Sequence, residues 1–296
     1  MSQIEFFHYE AFTDTPGMGN PAGIVFDPEG MLAEEEMQRI AAAVGFNETA
    51  FVLPSGREEC SLRLRFFAPG SEMPLCGHGT VAAVSALAAR DGLRGNRRLV
   101  AETQAGALPV DWLGETREVV MKQNDAQFLP FFGNTGALLR TVGLTEADLD
   151  ARYPAVYGST GSWTLILPLK DLQACARCTP HNALFPSVLT EFPAASVHPV
   201  VLDVTRPGRS MHGRHFSGAY AGTVEDPVTG TASGVMGAYY LQYIEPSLMH
   251  ADLLIEQGQE IGRDGVVRVW ASREQDAISI SIGGRAVCCG SRTVSY

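Results

Sequence analysis

Alternating apolar and polar residues mark several short strands along the chain. The period-2 runs are Ile4-Glu5-Phe6-Phe7, Ser61-Leu62-Arg63-Leu64-Arg65-Phe66, Val266-Val267-Arg268-Val269-Trp270 and Ala277-Ile278-Ser279-Ile280-Ser281-Ile282. Such runs between turn residues predict half-buried, mostly antiparallel strands. Helical periodicity is clearest in residues 32–44, 80–90 and 233–243, and the last two segments are apolar enough to be buried. Many strands with few helices predict the α+β class.

An internal repeat relates two segments of the chain. Residues 72–80 (Glu-Met-Pro-Leu-Cys-Gly-His-Gly-Thr) align with residues 225–233 (Glu-Asp-Pro-Val-Thr-Gly-Thr-Ala-Ser), an offset of 225 − 72 = 153. Each copy follows an Arg-x-Phe segment, Arg65-Phe66-Phe67 or Arg214-His215-Phe216, and precedes an apolar helical pattern. The repeat predicts two related lobes facing each other across a cleft, with a boundary near residues 115–130.

Both copies of the repeat have the local pattern of an anion site. Gly77-His78-Gly79-Thr80 and Gly230-Thr231-Ala232-Ser233 each run from a turn into a predicted helix. The first N–H groups of a helix lack internal partners, and glycine lets a ligand approach the backbone. Each turn alone is better explained as a helix cap, but the matched pair favours a site for a substrate carboxylate or an enolate-like oxyanion. Neither copy has the spacing of a nucleotide phosphate loop.

Three side chains are candidates for moving a proton beside such a site. His78 lies inside the first turn, where a helix N-terminus favours the neutral imidazole. Asp226 opens the second turn, and Glu48 lies between a helix and an apolar strand, where burial is expected to raise its pKa. Each is also explained as an ordinary cap or turn residue.

Composition narrows the possible partners. The 22 Lys and Arg against 33 Asp and Glu give a net charge of −11, which disfavours nucleic acid and anionic membrane surfaces. The chain shows no leader and no span of about 20 apolar residues, so a cytoplasmic protein with six reduced cysteines is expected. Cys175-Ala-Arg-Cys178 lacks a second ligand pair, so we expect a surface or half-buried helix turn and no metal site.

The sequence resembles the PhzF-like family, named for the phenazine-biosynthesis isomerase, within the diaminopimelate-epimerase-fold superfamily. The matching segments span almost the whole chain in family order. They are Gly19-Asn20-Pro21-Ala22-Gly23, Asn47-Glu48-Thr49-Ala50-Phe51-Val52, Leu75-Cys76-Gly77-His78-Gly79-Thr80, residues 225–232 and Gly258-Gln259-Glu260-Ile261-Gly262-Arg263.

The resemblance implies a fold, an activity and a site. It implies two similar lobes related by a pseudo-twofold axis, residues 1–120 plus 285–296 and residues 121–284. Each lobe is a curved, mostly antiparallel sheet wrapped around a central helix, as in diaminopimelate epimerase. It further implies a homodimer without cofactor or metal that catalyses a proton shift on a small carboxylic acid in the interlobe cleft.

The resemblance also implies a role for individual residues. Glu48 corresponds to the acid/base, and His78 and Asp226 correspond to its polar catalytic partners. The residues that correspond to substrate-binding positions are Asn20, Cys76, Gly77, Gly79, Gly230 and Thr231.

Two other functions remain open at this point. Cys76 matches the first catalytic thiol of related racemases and epimerases, but the partner position is Thr229, a very poor proton carrier. Two-base racemisation is therefore disfavoured, but an amino-acid racemase, epimerase or dehydratase using Cys76 stays an alternative. A non-catalytic protein that binds a small acid on the same scaffold is the other alternative.

Overall fold

The computed structural model describes residues 2–275 and 277–296, which form nineteen β-strands and six α-helices. The strands are β1 (Gln3–Ala11), β2 (Asn20–Phe26), β3 (Glu48–Leu53), β4 (Leu62–Ala68), β5 (Ser71–Met73), β6 (Arg97–Thr103), β7 (Gly106–Leu113), β8 (Glu118–Lys122), β9 (Gln127–Pro130), β10 (Val156–Ser159), β11 (Trp163–Pro168), β12 (Ser196–Val201), β13 (Met211–Gly213), β14 (His215–Phe216), β15 (Glu225–Asp226), β16 (His250–Gln257), β17 (Gly265–Glu274), β18 (Ala277–Gly284) and β19 (Ala286–Ser295). The helices are α1 (Glu34–Val44), α2 (Gly77–Asp91), α3 (Thr135–Thr141), α4 (Leu172–Arg177), α5 (Phe185–Val188) and α6 (Gly230–Tyr239).

The predicted α+β class is confirmed. The four alternating runs lie in β1, β4, β17 and β18, and the three helical patterns lie in α1, α2 and α6. Helices α2 and α6 each begin three residues before the predicted start, because the Gly-bearing turns are already helical. Helix α6 continues into a π-helical turn at Tyr240–Ile244.

The chain divides into two compact units. The first contains Met1–Lys122 and Gly283–Tyr296, and the second contains Gln123–Ile282. No helix in the described part of the chain is long and apolar enough to cross a membrane. All six cysteines are free thiols.

The sheet of the first unit is mixed and surrounds a buried helix. Strand β1 pairs antiparallel with β19 and β2, β2 runs parallel to β3, and β3 pairs antiparallel with β4. Helix α2 packs against β1, β2, β3 and β19, and every residue from His78 to Ala88 is buried. A helix that is apolar on all sides needs such a surround, which explains its weak amphipathicity.

A left-handed glycine positions the strand that carries the candidate proton carrier. Helix α1 buries Met37 and Ile40 and ends at Gly45, whose φ is 74°. This conformation costs glycine little and reverses the chain, so that β3 begins at Glu48 after a short turn.

The second unit repeats the strand pattern of the first. Strand β11 runs parallel to β12, which pairs antiparallel with β14, as β2, β3 and β4 do. Its central helix is α6, which packs against β10, β16 and β17.

The repeated hairpins agree in register. Phe67 faces Glu72 between β4 and β5, and Phe216 faces Glu225 between β14 and β15. The Arg-x-Phe and Glu positions aligned in the sequence are therefore structurally equivalent.

Candidate active site

Glu48 and His78 lie side by side in the first unit. Glu48 is the first residue of β3, and His78 lies in the first turn of α2. The His78 Nε2 atom is 2.9 Å from Oε2 of Glu48, and their side chains are only 10% and 14% exposed. Thirty positions of sequence thus separate two groups that form one buried ion pair.

Cys76 completes this cluster as the N-cap of α2. Its Sγ accepts a hydrogen bond from the Gly79 N–H at 3.2 Å and lies 3.5 Å from Nδ1 of His78. Its carbonyl accepts from the Thr80 N–H at 3.0 Å and the Thr80 hydroxyl at 2.7 Å. The cap therefore fixes the thiol against one edge of the imidazole, while Glu48 contacts the other edge.

The cluster sets the charges of its members. Burial raises the pKa of the Glu48 carboxyl, but the charge and the hydrogen bond of His78 together outweigh burial and bring the pKa below its ordinary 4.5. Burial lowers the pKa of His78, but the carboxylate of Glu48 and the hydrogen bonds to Cys76 and Glu48 together raise it well above 6.5. Burial also raises the pKa of the Cys76 thiol above 9.0. Near neutral pH, a carboxylate and an imidazolium therefore lie beside a protonated thiol.

These directions differ from two sequence-based expectations. Burial was expected to raise the pKa of Glu48, and the α2 N-terminus was expected to keep His78 neutral. Each expectation treats one residue alone, whereas the fold places the two in contact, and opposite charges at 2.9 Å stabilise each other's ionised form.

The second repeat forms a similar turn before α6. Thr229 is the N-cap residue, and its carbonyl accepts from the Ser233 hydroxyl at 2.9 Å, as Cys76 accepts from Thr80. The Thr229 hydroxyl donates to Oδ2 of Asp226 at 2.5 Å. The predicted residues Asp226, Gly230 and Thr231 thus come together on this turn.

Sequence reasoning missed a buried glutamine that holds this turn. Gln257 is 1% exposed, and its Nε2 donates to the Asp226 carbonyl at 2.7 Å. Its Oε1 accepts from the Thr229 N–H at 3.2 Å. The end of a strand gives no sequence signal for such a role, since its partners lie 28 or more positions away.

Equivalent arginines anchor the two hairpins. Arg65 donates two hydrogen bonds to Glu72, both at 2.6 Å, and Arg214 donates to Glu225 at 2.9 and 2.7 Å. A bidentate guanidinium–carboxylate pair fixes direction as well as distance. Each repeat therefore holds the strand end that leads into its turn.

The remaining predicted site residues belong to the first unit. Asn20 is fully buried at the start of β2. Gly79 is packed so closely that an added Cβ would lie 3.0 Å from Sγ of Cys76, whereas Gly77 has open space in that direction. Close packing thus favours glycine at position 79, whereas the glycine at position 77 leaves room for a ligand.

Among the residues that the structure describes, three groups of side chains have the composition of metal ligands. They are Glu48, Cys76 and His78; Cys175, His212 and Glu260; and His8, Glu10 and Cys289. The predicted surface or half-buried turn around Cys175 and Cys178 is in fact buried, with exposures of 0% and 5%. Carbonyls of both cysteines accept hydrogen bonds from Arg214, so this turn supports the hairpin.

The comparisons with known proteins agree over the full chain. The sequence model of the PhzC-PhzF family, described as phenazine biosynthesis-like protein, matches residues 9–292. Isomerase YfhB of Bacillus subtilis (strain 168) is 44% identical over 289 residues, which cover 97% of each chain. The trans-2,3-dihydro-3-hydroxyanthranilate isomerase of Pseudomonas chlororaphis is 29% identical over 296 residues, covering 97% of this chain and 99% of that protein.

A solved structure is also closely similar. The crystal structure of a PhzF-family phenazine biosynthesis protein from Bacillus anthracis shares 50% sequence identity with this chain, superposes with a TM-score of 0.95 and covers 100% of both chains. The chain therefore belongs to the phenazine biosynthesis-like PhzC-PhzF family and is an isomerase of that family.

Proposed function

We propose that the chain catalyses a cofactor-independent proton shift on a small carboxylic acid, with Glu48 as the acid/base. The observation that carries this proposal is the buried contact between Glu48 and His78 at the N-terminus of α2. A carboxylate held within a mostly buried cluster accepts a proton from carbon and returns it without another group.

The start of α2 supplies donors for the acid group of the substrate. Its Gly79 and Thr80 N–H groups are already taken by Cys76. Within the described chain, the N–H groups of Gly77 and His78 have no such acceptor, so they are available to a carboxylate or enolate-like oxyanion. The imidazolium of His78 adds positive charge at the same place.

Binding of an anion would prepare Glu48 for proton transfer. In the resting state His78 lowers the pKa of Glu48, which makes the carboxylate a weak base. A substrate carboxylate beside His78 shares its positive charge and places a second negative charge near Glu48. Both effects raise the pKa of Glu48 toward the range in which a base takes a proton from carbon and gives it back.

The proposal also includes residues of the turn before α6. Asp226, Gly230 and Thr231 are proposed to assist in binding and moving the proton, and Asn20 to contact the substrate. Assembly as a homodimer remains a prediction as well.

The arrangement around Cys76 does not favour a two-thiol racemase. The equivalent N-cap is Thr229, and the raised pKa of Cys76 keeps its thiol protonated. One carboxylate flanked by one imidazolium fits a reaction in which the same group removes and returns the proton.

The proposal is tested by the mass and isotope content of the product. Protein dialysed against a chelator is incubated in heavy water with trans-2,3-dihydro-3-hydroxyanthranilate, chosen because the 29% identical relative is named for it, and with related unsaturated acids. We expect an isomer of unchanged composition, with deuterium at the new C–H position in the fraction of turnovers in which the proton on Glu48 exchanges with heavy water before it is returned. A product that has lost water or ammonia, or a reaction that requires an added cofactor, would contradict the proposal.

A further inference from the structure

The two units differ in one row of side chains that crosses three strands. In the first unit the row is Ala50, Phe66 and Met73, which face one another across β3, β4 and β5. In the second unit Val197 pairs with Phe216 between β12 and β14, as Thr49 pairs with Phe67 between β3 and β4. Val197 is therefore equivalent to Thr49, and Phe216 to Phe67. The residues at the positions of the apolar row are therefore His198, His215 and Asp226.

The comparison within one chain shows that the scaffold does not need polar groups here. The first unit has an apolar row at these positions, and its Ala50 and Phe66 are completely buried. Buried polar side chains cost free energy unless they are paired, so the imidazoles of the second unit must serve another purpose. The proposed acid/base shows the converse pattern. Glu48 of the first unit is ionisable, whereas the equivalent residue of the second unit is Ser196.

Hydrogen bonds fix the protons of the two imidazoles. His198 is completely buried, with Nε2 3.1 Å from Sδ of Met236 and Nδ1 3.1 Å from Nδ1 of His215. Burial lowers the pKa of both histidines, so each ring carries one proton. Because sulfur only accepts, the proton of His198 lies on Nε2, and its Nδ1 then accepts from Nδ1–H of His215.

This order leaves Nε2 of His215 without a proton. His215 is only partly buried, and its Nδ1 edge faces the buried His198, so the Nε2 edge is the accessible one. The cross-strand partner of His215 is Asp226, whose carboxylate also accepts hydrogen bonds. Two acceptors therefore lie on paired residues of the neighbouring strands β14 and β15.

We propose that His215 is a ligand-binding residue whose Nε2 accepts a hydrogen bond from an amino or hydroxyl group of the substrate acid. His198 and Met236 are positioning residues that hold His215 in the accepting tautomer. This inference rests on the proposed substrate-binding role of Asp226, the cross-strand partner of His215, and adds the donor that this protein selects.

The tautomer is tested without any ligand. In protein labelled with ¹⁵N-histidine, long-range proton–nitrogen correlation spectra should show a proton on Nδ1 of His215 and on Nε2 of His198. In Met236→Leu the sulfur acceptor is lost, and the spectra should show mixed tautomers for both rings. A proton on Nε2 of His215 in the wild type would overturn the inference.

The binding role is tested with three acids of one shape, benzoate, 2-aminobenzoate and 2-hydroxybenzoate. The wild type should bind 2-aminobenzoate or 2-hydroxybenzoate, each of which has a hydrogen-bond donor, about tenfold more tightly than benzoate. Whichever of these two acids binds more tightly shows whether His215 accepts from an amino or a hydroxyl group. His215→Phe installs the residue of the equivalent Phe66 and should abolish the difference while leaving the affinity for benzoate unchanged. Equal affinity for all three acids, or binding of none, would overturn the ligand role.

Failure of the proposed function would look different. If Glu48→Gln retained proton exchange, the assignment of Glu48 would be wrong, whereas the tautomer of His215 and the affinity difference would be unaffected. If His215→Phe bound the three acids as the wild type does, only the present inference would fail.

Discussion

Replacing Arg214 with methionine tests whether the buried arginine holds the second hairpin. Arg214 is 5% exposed and donates four hydrogen bonds, two to Glu225 and one each to the carbonyls of Cys175 and Cys178. The Arg214 side chain is 6% exposed and that of Glu225 is 10% exposed. Methionine preserves much of the volume, so the main change is the loss of a buried charge and its donors.

The expected cost follows from the carboxylate that is left behind. Removing one partner of a buried ion pair costs about 3–5 kcal/mol, since the other charge stays buried and unpaired. The double variant Arg214→Met/Glu225→Gln leaves no orphan charge and should be more stable than the single variant. In contrast, Arg98→Met removes a pair with Asp111 at 3.6 Å whose side chains are 72% and 43% exposed, and should cost at most about 1 kcal/mol.

Urea denaturation followed by circular dichroism measures these differences, provided that the slope of the free energy with urea is unchanged. A cost below about 1 kcal/mol for Arg214→Met, or a double variant less stable than Arg214→Met, would refute the reasoning.

Three further predictions concern the cluster of the first unit. Folding lowers the pKa of Glu48 and raises that of His78, so the ion pair stabilises the fold fully between pH 4.5 and pH 6.5, the ordinary pKa values of the two groups. Glu48→Gln should therefore lower the urea midpoint most in this range. The loss of stability should become smaller as the pH falls through the folded-state pKa of Glu48 or rises through that of His78. Gly79→Ala should destabilise the fold by about 1–3 kcal/mol in the same assay, because the new Cβ lies 3.0 Å from Sγ of Cys76; an unchanged midpoint would contradict this. Iodoacetamide followed by mass spectrometry should label exposed Cys288 at least about tenfold faster than Cys76, whose thiol is buried and has a raised pKa, and equal rates would show that Cys76 is accessible.

Local patterns predicted the elements well where periodicity was strong. The alternating runs and the three apolar helical segments all became the expected element types, because one-sided burial imposes a period on the sequence. The repeat was also visible, since the Gly-bearing turns and their hairpins constrain residue type at each position. Six residues of helix around Leu172–Arg177 had no comparable period and were not recognised as buried.

Interactions between distant positions could not be predicted in the same way. The charges of Glu48 and His78 depend on a contact between β3 and α2, which neither local pattern contains. The proton order of His198 and His215 likewise depends on Met236 from another element. Residue type identified the candidates, but only the register of the strands determined which of them meet.

Glu48→Gln provides the most direct test of the central claim, that one carboxylate moves the proton. Wild type, Glu48→Gln, Cys76→Ala and the exposed control Glu29→Gln are incubated with the substrate acid in heavy water, and the formation of the isomer and its deuterium content are followed by nuclear magnetic resonance. The account predicts that Glu48→Gln lowers the rate at least about 100-fold, while Cys76→Ala and Glu29→Gln remain active. A wild-type rate in Glu48→Gln, or a loss of activity in Cys76→Ala alone, would contradict the account.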